Sequence, residues 1–207
     1  MRILHLSDTH GHHHELGPLP EADMVVHTGD FTCKGTFDEA RDFVAWLAAL
    51  PCRHKVFISG NHDFCMAGHD NALPLPEGVT YLCHSAAEIE GLHFYGVPMF
   101  RSSIDDVSYE PLYRQIPEGT DVLLTHQPPY GILDGGDYQG HPHHYGSTVL
   151  LDRVRLVAPR LHLFGHDHNV FGQTVIGPTL FSNGALAGHG CVLVRRPVVI
   201  EVPPLHE

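Results

Sequence analysis

This 207-residue chain has no metal-binding pattern of cysteines. The five cysteines are odd in number and scattered, without a C-x-x-C pair. Neither a disulfide framework nor a thiolate zinc site is therefore indicated. The N-terminus, MRILHLSD, lacks the long apolar segment of a secretory signal. We therefore expect a cytoplasmic location.

Basic residues and long apolar runs are also few. Twelve Lys and Arg residues stand against 24 Asp and Glu residues, so the formal net charge is −12. Such a surface would repel nucleic acid and anionic lipid unless a local patch or a bound metal reversed the field. No apolar run approaches the ~20 residues that a membrane helix needs. We expect neither a membrane nor a nucleic-acid partner, and the sequence leaves the oligomeric state open.

Histidine is the residue in excess, with 20 copies. Imidazole is the commonest metal ligand among side chains, although many histidines are simply solvated. The chain has no repeats and no linker, and its length suits one domain with a sizeable core. The positions of the histidines in that domain therefore matter more than their number.

Apolar segments run repeatedly into clusters of Asp, His, Asn and Gly. RILHLSDTHG ends at Asp8, MVVHTGDF at Asp30, and KVFISGNHD at Asn61. Between the second and third, Thr36 and Glu39 form a capping box before an apolar stripe, which predicts a helix. Strands that alternate with a helix in this way indicate βαβ units and a parallel sheet.

The second half of the chain repeats this pattern and then changes character. DVLLTHQPP and LHLFGHDH are two more strands that end in histidine-bearing loops, with a predicted helix, STVLLDRVRLVAP, between them. The tail contains FGQTVIG, PTLFSNG and GCVLVRRPVVIEV, which predict consecutive strands with antiparallel pairing. QPPYGILDGGDYQGHPHHYGS is long for a loop, which favours a functional role for it.

Five strand ends thus deliver polar side chains to the edge of an α/β sheet where ligands bind. These side chains are Asp8, His10, Asp30, Asn61, His62, Asp63, His126, His166 and His168. Each motif alone is weak, because a strand-end Asp is more often a turn or cap residue. Burying so many carboxylates and imidazoles without a cation would carry a large desolvation cost. We therefore predict a metal centre, with donors suited to Mn, Fe, Zn or Co.

The ordered set SDTHG, GDFTCKG, GNHD, LTHQPP and GHDH resembles the motifs of the calcineurin-like metallophosphoesterases, from about residue 3 to residue 185. The resemblance implies a single metallophosphoesterase domain over residues 1–207. It implies an α/β fold with four α-β-β-α layers, in which two facing mixed β-sheets are flanked by helices and the strands toward the C-terminus are antiparallel. It also implies two divalent ions, with Mn favoured.

The same resemblance assigns a role to each motif residue. The first ion would be held by Asp8, His10, Asp30 and His168, and the second by the bridging Asp30 with Asn61, His126 and His166. Two such ions can hold a bridging hydroxide that attacks phosphorus. His62 would be the general acid that protonates the leaving oxygen, and Asp63 would fix the tautomer of His62.

The residues around the motifs favour a small phosphodiester substrate. Protein phosphatases of this superfamily carry arginines beside the second and third motifs, whereas this chain has Lys34 and no arginine there. A diester carries one negative charge at the phosphate and needs less of an arginine clamp. The closest resemblance is to small single-domain metallophosphodiesterases, so cyclic nucleotides are the first candidates. The alternatives are a phosphomonoesterase or nucleotidase of the same fold, and a non-catalytic metal-binding interaction scaffold.

Other histidines and aromatic residues have simpler explanations. His5 and His27 lie inside apolar strands, where we expect hydrogen-bonded core residues. At least two histidines of the run 12–14 are expected in solvent. The HPHHYG tract is interpreted as a substrate-facing loop rather than a third metal site. Tyr130 and Tyr145 are candidates to stack on a base.

Overall fold

The computed structural model describes residues 1–68, 73–100, 110–138 and 141–202, and within them the strands form two large sheets and a hairpin. The first sheet has the order β13-β1-β2-β3-β4, made of Val198–Glu201, Arg2–Leu6, Met24–His27, His54–Phe57 and Val79–Tyr81. The second has the order β11-β12-β10-β7-β6-β5, made of Gly172–Ile176, Thr179–Asn183, Leu161–Phe164, Val122–Thr125, Leu92–Val97 and Ser85–Ile89. The hairpin pairs β8, Gly135–Tyr138, with β9, His141–His144.

Parallel pairing forms the centre of both sheets. Strands β1 to β4 are parallel, and β13 joins β1 in the antiparallel direction. Strands β6, β7, β10 and β12 are parallel, with antiparallel β5 and β11 at the two edges. The carboxyl ends of the parallel strands therefore lie along one edge of each sheet, which is where ligands bind in open α/β sheets.

Helices cover the outer faces of the sheets. The helices are α1, Phe37–Ala49, α2, Glu110–Tyr113, and α3, Thr148–Val157. Side chains of α1 share an apolar cluster with outer residues of the first sheet such as Leu4 and Phe57. Side chains of α2 and α3 share another with outer residues of the second sheet such as Leu123. A third cluster fills the space between the sheets and includes Val26 and Leu124. These clusters confirm the predicted α-β-β-α layers.

The sequence signals at the helix starts are present in the structure. The Thr36 hydroxyl accepts the Glu39 amide, and the Glu39 carboxylate accepts the Thr36 amide, so the predicted capping box is confirmed. Ser147 caps α3 by accepting the Leu150 amide. A cap of this kind contributes about 0.5–2 kcal/mol. Within the described ranges, no helix has the length and apolar character needed to cross a bilayer.

Two segments differ from the sequence prediction. GCVLVRRPVVIEV is not one strand, because a 3₁₀ turn at His189–Cys191 and an irregular stretch precede β13, and β13 pairs with β1 of the other sheet. Arg195 and Arg196 turn inward to donate to main-chain carbonyls, and Pro197 has no amide for a strand ladder. The long loop after β7 is also more regular than predicted, since it contains the β8–β9 hairpin.

Candidate active site

The seven predicted metal ligands follow the ends of five parallel strands. Asp8 and His10 follow β1, Asp30 follows β2, Asn61 follows β3, His126 follows β7, and His166 and His168 follow β10. Asp8, His10, Asp30 and His166 have positive φ angles between 44° and 69°. Such a conformation costs of order 1–3 kcal/mol per non-glycine residue and persists only where the surrounding structure enforces it. The strand ends are therefore held in strained positions that direct these side chains toward one another.

One group of side chains centres on Asp8. The His168 Nε2 lies 3.0 Å from Asp8 Oδ1 and 3.2 Å from the His10 Nε2. The His10 Nε2 is also 3.8 Å from Asp30 Oδ2. Burial would raise the pKa of Asp8, but the hydrogen bond from His168 holds this pKa well below its usual range. The group therefore presents an ionised carboxylate between two imidazoles.

A second group centres on Asp30. The His126 Nε2 lies 3.5 Å from Asp30 Oδ2 and 3.0 Å from Asn61 Oδ1. The His166 ring lies beside it, with a centroid distance of 5.1 Å to the His126 ring. Burial would lower the pKa of His126, but the Asp30 carboxylate raises it to about 9. Asp30 borders both groups, as a bridging ligand must.

Main-chain carbonyl groups orient two of the histidines. The His126 Nδ1 lies 2.8 Å from the Thr28 oxygen, and the His168 Nδ1 lies 3.1 Å from the Gly188 oxygen. When each Nδ1–H donates to its carbonyl and an ion takes the place of the Nε2 proton, each Nε2 would direct a lone pair into the cluster, as in most metal-binding histidines. Carbonyl acceptors leave no side-chain signal, so the sequence did not reveal these contacts.

The donor set fits two divalent ions. Three overlapping groups place their ligand atoms within 4.8 Å of one another, namely Asp8, His10 and His168, then Asp8, Asp30 and His126, and then His10, Asp30 and His62. Carboxylate oxygen and imidazole nitrogen suit Mn, Fe, Zn or Co. Burial lowers the pKa of His10 and of His166 to about 4, so both rings are neutral, the form that binds metal. The geometry brings all seven predicted ligands together, and their roles as ligands stay predictions.

Two glycines allow the strand ends to approach this closely. A Cβ at Gly60 would collide with the carboxylate of Asp30 and the ring of His126. A Cβ at Gly165 would collide with Ser7 and with the carboxylate of Asp8. Any larger residue at either position would displace a predicted ligand.

The sequence predicted that Asp63 orients His62, and in the structure its carboxylate is directed at other groups. Its buried carboxylate accepts the amides of Asp30, Gly60 and Thr32, each at 2.8 Å, and the Thr32 hydroxyl at the same distance. The carboxylate is thus directed at main-chain amides and the Thr32 hydroxyl. Among the described residues, it makes no hydrogen bond to the His62 ring. Asp63 ties the loop after β2 to the loop after β3.

His62 lies at the edge of the ligand cluster. Its ring centroid is 4.7 Å from that of His10, and its amide donates to Asp30 Oδ1 at 2.7 Å. The His62 Nδ1 is 3.3 Å from the carbonyl oxygen of Cys33, which takes the orienting role predicted for Asp63. This contact leaves the Nε2 of His62 available to hold a transferable proton.

A buried polar layer supports the ligands from the interior. The His5 ring lies 3.0 Å from the Thr28 hydroxyl and 2.9 Å from the Ser182 hydroxyl, so it links the two sheets. The His27 Nε2 lies 3.0 Å from the Thr9 hydroxyl. Both histidines are the hydrogen-bonded core residues that the sequence predicted, and they fix the segments that carry the ligands.

The long loop after β7 is anchored by Asp134, whose carboxylate is 1% exposed. This carboxylate lies 2.8 Å from the His144 Nδ1 and accepts the amides of Gly131 and Gly146 at 2.9 and 3.0 Å. Asp134 was not among the residues predicted from the sequence, although an Asp beside two glycines is a common turn signal. Residues 139 and 140 of this loop lie outside the described part of the chain.

A cavity of about 260 Å³ opens beside the ligand cluster. Its lining residues are Tyr145, His166, Asp167, His168, Asn169 and His189. Tyr145 is 38% exposed and lies 4.6 Å, between ring centroids, from His143. Tyr130 instead borders a separate cavity that is lined by residues of α3. Of the two predicted stacking residues, Tyr145 is therefore the better placed.

A sequence profile described as calcineurin-like phosphoesterase matches residues 1–170, most of the chain. The chain is a calcineurin-like phosphoesterase. Relatives of this phosphoesterase include the UPF0046 protein C25E10.12 of Caenorhabditis elegans, 34% identical over 98% of this chain and 81% of the relative. Metallophosphoesterase domain-containing protein 1 of Homo sapiens is 30% identical over 98% of this chain and 71% of the relative. The family and these relatives support a metal-dependent phosphoester hydrolase.

Solved structures show the same fold as this phosphoesterase. The crystal structure of TT1561 of Thermus thermophilus has a TM-score of 0.57 at 15% identity, and covers 90% of this chain and 91% of that one. Another solved structure has a TM-score of 0.61 at 15% identity, covering 88% of this chain and 89% of that one. The resemblance read from the five motifs is therefore confirmed for family and fold.

Proposed function

We propose that this phosphoesterase hydrolyses a small phosphodiester with two divalent ions, Mn²⁺ being favoured, bound by the seven clustered side chains. The observation that carries the proposal is the convergence of both ligand groups on Asp30, with His62 at their edge. Bound ions would activate a water molecule and neutralise charge on the phosphate oxygens. A cytoplasmic location stays a prediction from the sequence.

His62 is the proton donor in this proposal. The Cys33 carbonyl accepts the Nδ1–H of His62, which holds the ring in one orientation. The opposite ring nitrogen, Nε2, is then free to transfer a proton to the leaving oxygen of the ester. A positioned acid of this kind contributes typically about 10²–10⁴-fold to the rate.

The engagement of a nearby arginine supports a diester over a monoester. The Arg195 guanidinium donates to the carbonyl oxygens of Ala185 and Ala187, each at 3.0 Å, and to that of His168 at 2.7 Å. A guanidinium held by three carbonyls is not free to bind a dianionic monoester in the bidentate manner. A diester has one negative charge at the phosphate and needs less such help. Tyr145, at the adjacent cavity, is available to stack on a base, which makes cyclic nucleotides the first substrates to screen.

The test is a paired rate assay on protein that has been stripped of metal and reloaded with Mn²⁺. Bis(p-nitrophenyl) phosphate is compared with p-nitrophenyl phosphate for the wild type, Asn61→Ala and His93→Ala. His93 is an exposed strand histidine beside Asp121 and serves as the matched control. We expect diester preference that collapses in Asn61→Ala and persists in His93→Ala.

Other outcomes have distinct meanings. Monoester preference that also depends on Asn61 would overturn the substrate proposal and leave the metal centre in place. Activity that is equal in wild type and Asn61→Ala would overturn the site itself. Two bound ions with no hydrolysis of either ester would favour an enzyme with a narrow substrate range or the interaction scaffold.

A further inference from the structure

A second cluster of metal-capable side chains lies outside the active site. The 3₁₀ turn His13–Leu16 packs against α1, and there Asp42 of the helix meets two histidines of the turn. The Asp42 Oδ2 lies 3.0 Å from the His13 Nε2 and 3.1 Å from the His14 Nε2. We propose that His13, His14 and Asp42 form a third metal site, for a divalent transition-metal ion of the Zn²⁺ class.

The arrangement of the donor atoms supports this site. The three ligand atoms lie within 4.8 Å of one another. Two imidazoles and one carboxylate, with water in the fourth position, are a common zinc ligand set. The side chains of His14 and Asp42 are 60% and 56% exposed, so an ion reaches them from solvent. The side chain of His13 is 2% exposed and supplies a fixed anchor.

The packing around His13 holds its ring in position. The ring lies 5.6 Å from the Phe43 ring and 5.1 Å from the Trp46 ring, between centroids. Burial and the neighbouring His14 lower the pKa of His13, which favours the neutral form that binds metal. The His13 ring therefore needs little reorganisation when an ion binds.

An ion at this site would link the 3₁₀ turn to α1, on the outer face of the first sheet. The turn follows the loop that carries His10, whereas Asp42 belongs to α1. Binding would join the two segments by coordination in addition to the present hydrogen bonds. Because the ion binds only the folded arrangement, it would raise the unfolding temperature. The site would thus act on stability and is separate from the hydrolytic reaction.

The chain carries its own reporter for the test. Trp46 is the single tryptophan of the chain and lies four residues after Asp42 on one face of α1. Metal-free protein is titrated with Cu²⁺, a paramagnetic ion that quenches nearby indole fluorescence. We expect quenching of Trp46 at micromolar Cu²⁺. His14→Gln and Asp42→Asn should weaken it by at least the roughly 10–100-fold that loss of an outer-shell partner causes.

Matched variants separate this site from the active site. His12→Gln, a change at a partly exposed neighbour that pairs with Glu15, should bind as the wild type does. Asn61→Ala should retain the quenching although its active site is impaired. In equilibrium dialysis with Zn²⁺, Asp42→Asn should bind one ion fewer than the wild type. Quenching that is unchanged in His14→Gln and Asp42→Asn, that disappears in Asn61→Ala, or that requires millimolar Cu²⁺ would overturn the proposal.

Discussion

Replacement of Asp63 tests how the two motif-bearing loops are held together. In the structure its Oδ2 accepts the amides of Asp30 and Gly60, and its Oδ1 accepts the amide and hydroxyl of Thr32. Asparagine retains one acceptor oxygen, which can serve the amides on the Oδ2 side, including that of Phe31 at 3.4 Å, but it directs an NH₂ group at the Thr32 amide. One buried donor left unpaired costs about 1–3 kcal/mol. Alanine would leave four buried amides unpaired, because the Phe31 amide also donates to Oδ2, at about 4–12 kcal/mol by the same measure.

The assay is thermal unfolding of the metal-free variants, because bound metal adds stabilisation of its own. For a chain of this size, 1 kcal/mol corresponds to roughly 2–4 °C. Asp63→Asn should therefore lower the unfolding temperature by about 2–12 °C, and Asp63→Ala by more. Thr32→Val is the matched control, since it removes one hydroxyl donor and leaves the carboxylate and the amides in place. Its effect should be smaller than that of Asp63→Asn.

A purely catalytic role for Asp63 gives a different result. If Asp63 acted by orienting His62, Asp63→Asn would lower kcat as much as His62→Ala does. The unfolding temperature would then stay at the wild-type value. That outcome would refute the structural argument for Asp63.

Three further substitutions address the site directly. His62→Ala should lower kcat by roughly 10²–10⁴-fold with metal content near normal by elemental analysis; parallel loss of metal would make His62 a ligand instead. Gly60→Ala should lower metal content and activity together, because the added Cβ collides with the Asp30 carboxylate; a variant with full metal content would contradict this packing argument. Asp134→Ala should raise KM for a diester with little change in metal content, because the loop before Tyr145 loses its buried anchor; an unchanged KM in steady-state assays would remove this loop from substrate binding.

The placement of the predicted ligands followed from the sequence because one physical rule governs it. Each apolar run was recognisable as a strand, and parallel strands share the edge at which their carboxyl ends emerge. Asp8, Asp30 and Asn61 could therefore be placed together without any knowledge of the turns between them. The capping box at Thr36 and Glu39 was equally local, and the structure contains both of its hydrogen bonds.

The unpredicted features depend on contacts between distant segments. From the sequence, Asp63 was predicted to orient the adjacent His62. In the structure, most of the groups that donate to its carboxylate are main-chain amides about 30 residues earlier. Main-chain amides have no sequence signature. The prediction of one strand in the tail was wrong for a related reason, because Arg195 and Arg196 donate to main-chain carbonyls that are distant in the sequence. Pro197 was the one local signal against a continuous strand, and a single proline is also found at strand edges.

The left-handed backbone at His10 has a consequence for the evolution of heat resistance. Its φ of 44° strains a non-glycine residue, and its buried Nδ1 has no hydrogen-bond partner among the described residues. Glycine at this position would relieve both costs in the metal-free chain. Directed evolution that screens the metal-free chain for thermal tolerance alone should therefore enrich substitutions at His10. The selected variants would gain thermal stability but lose a predicted metal ligand and, with it, activity. A useful screen must therefore select for hydrolysis at the same time.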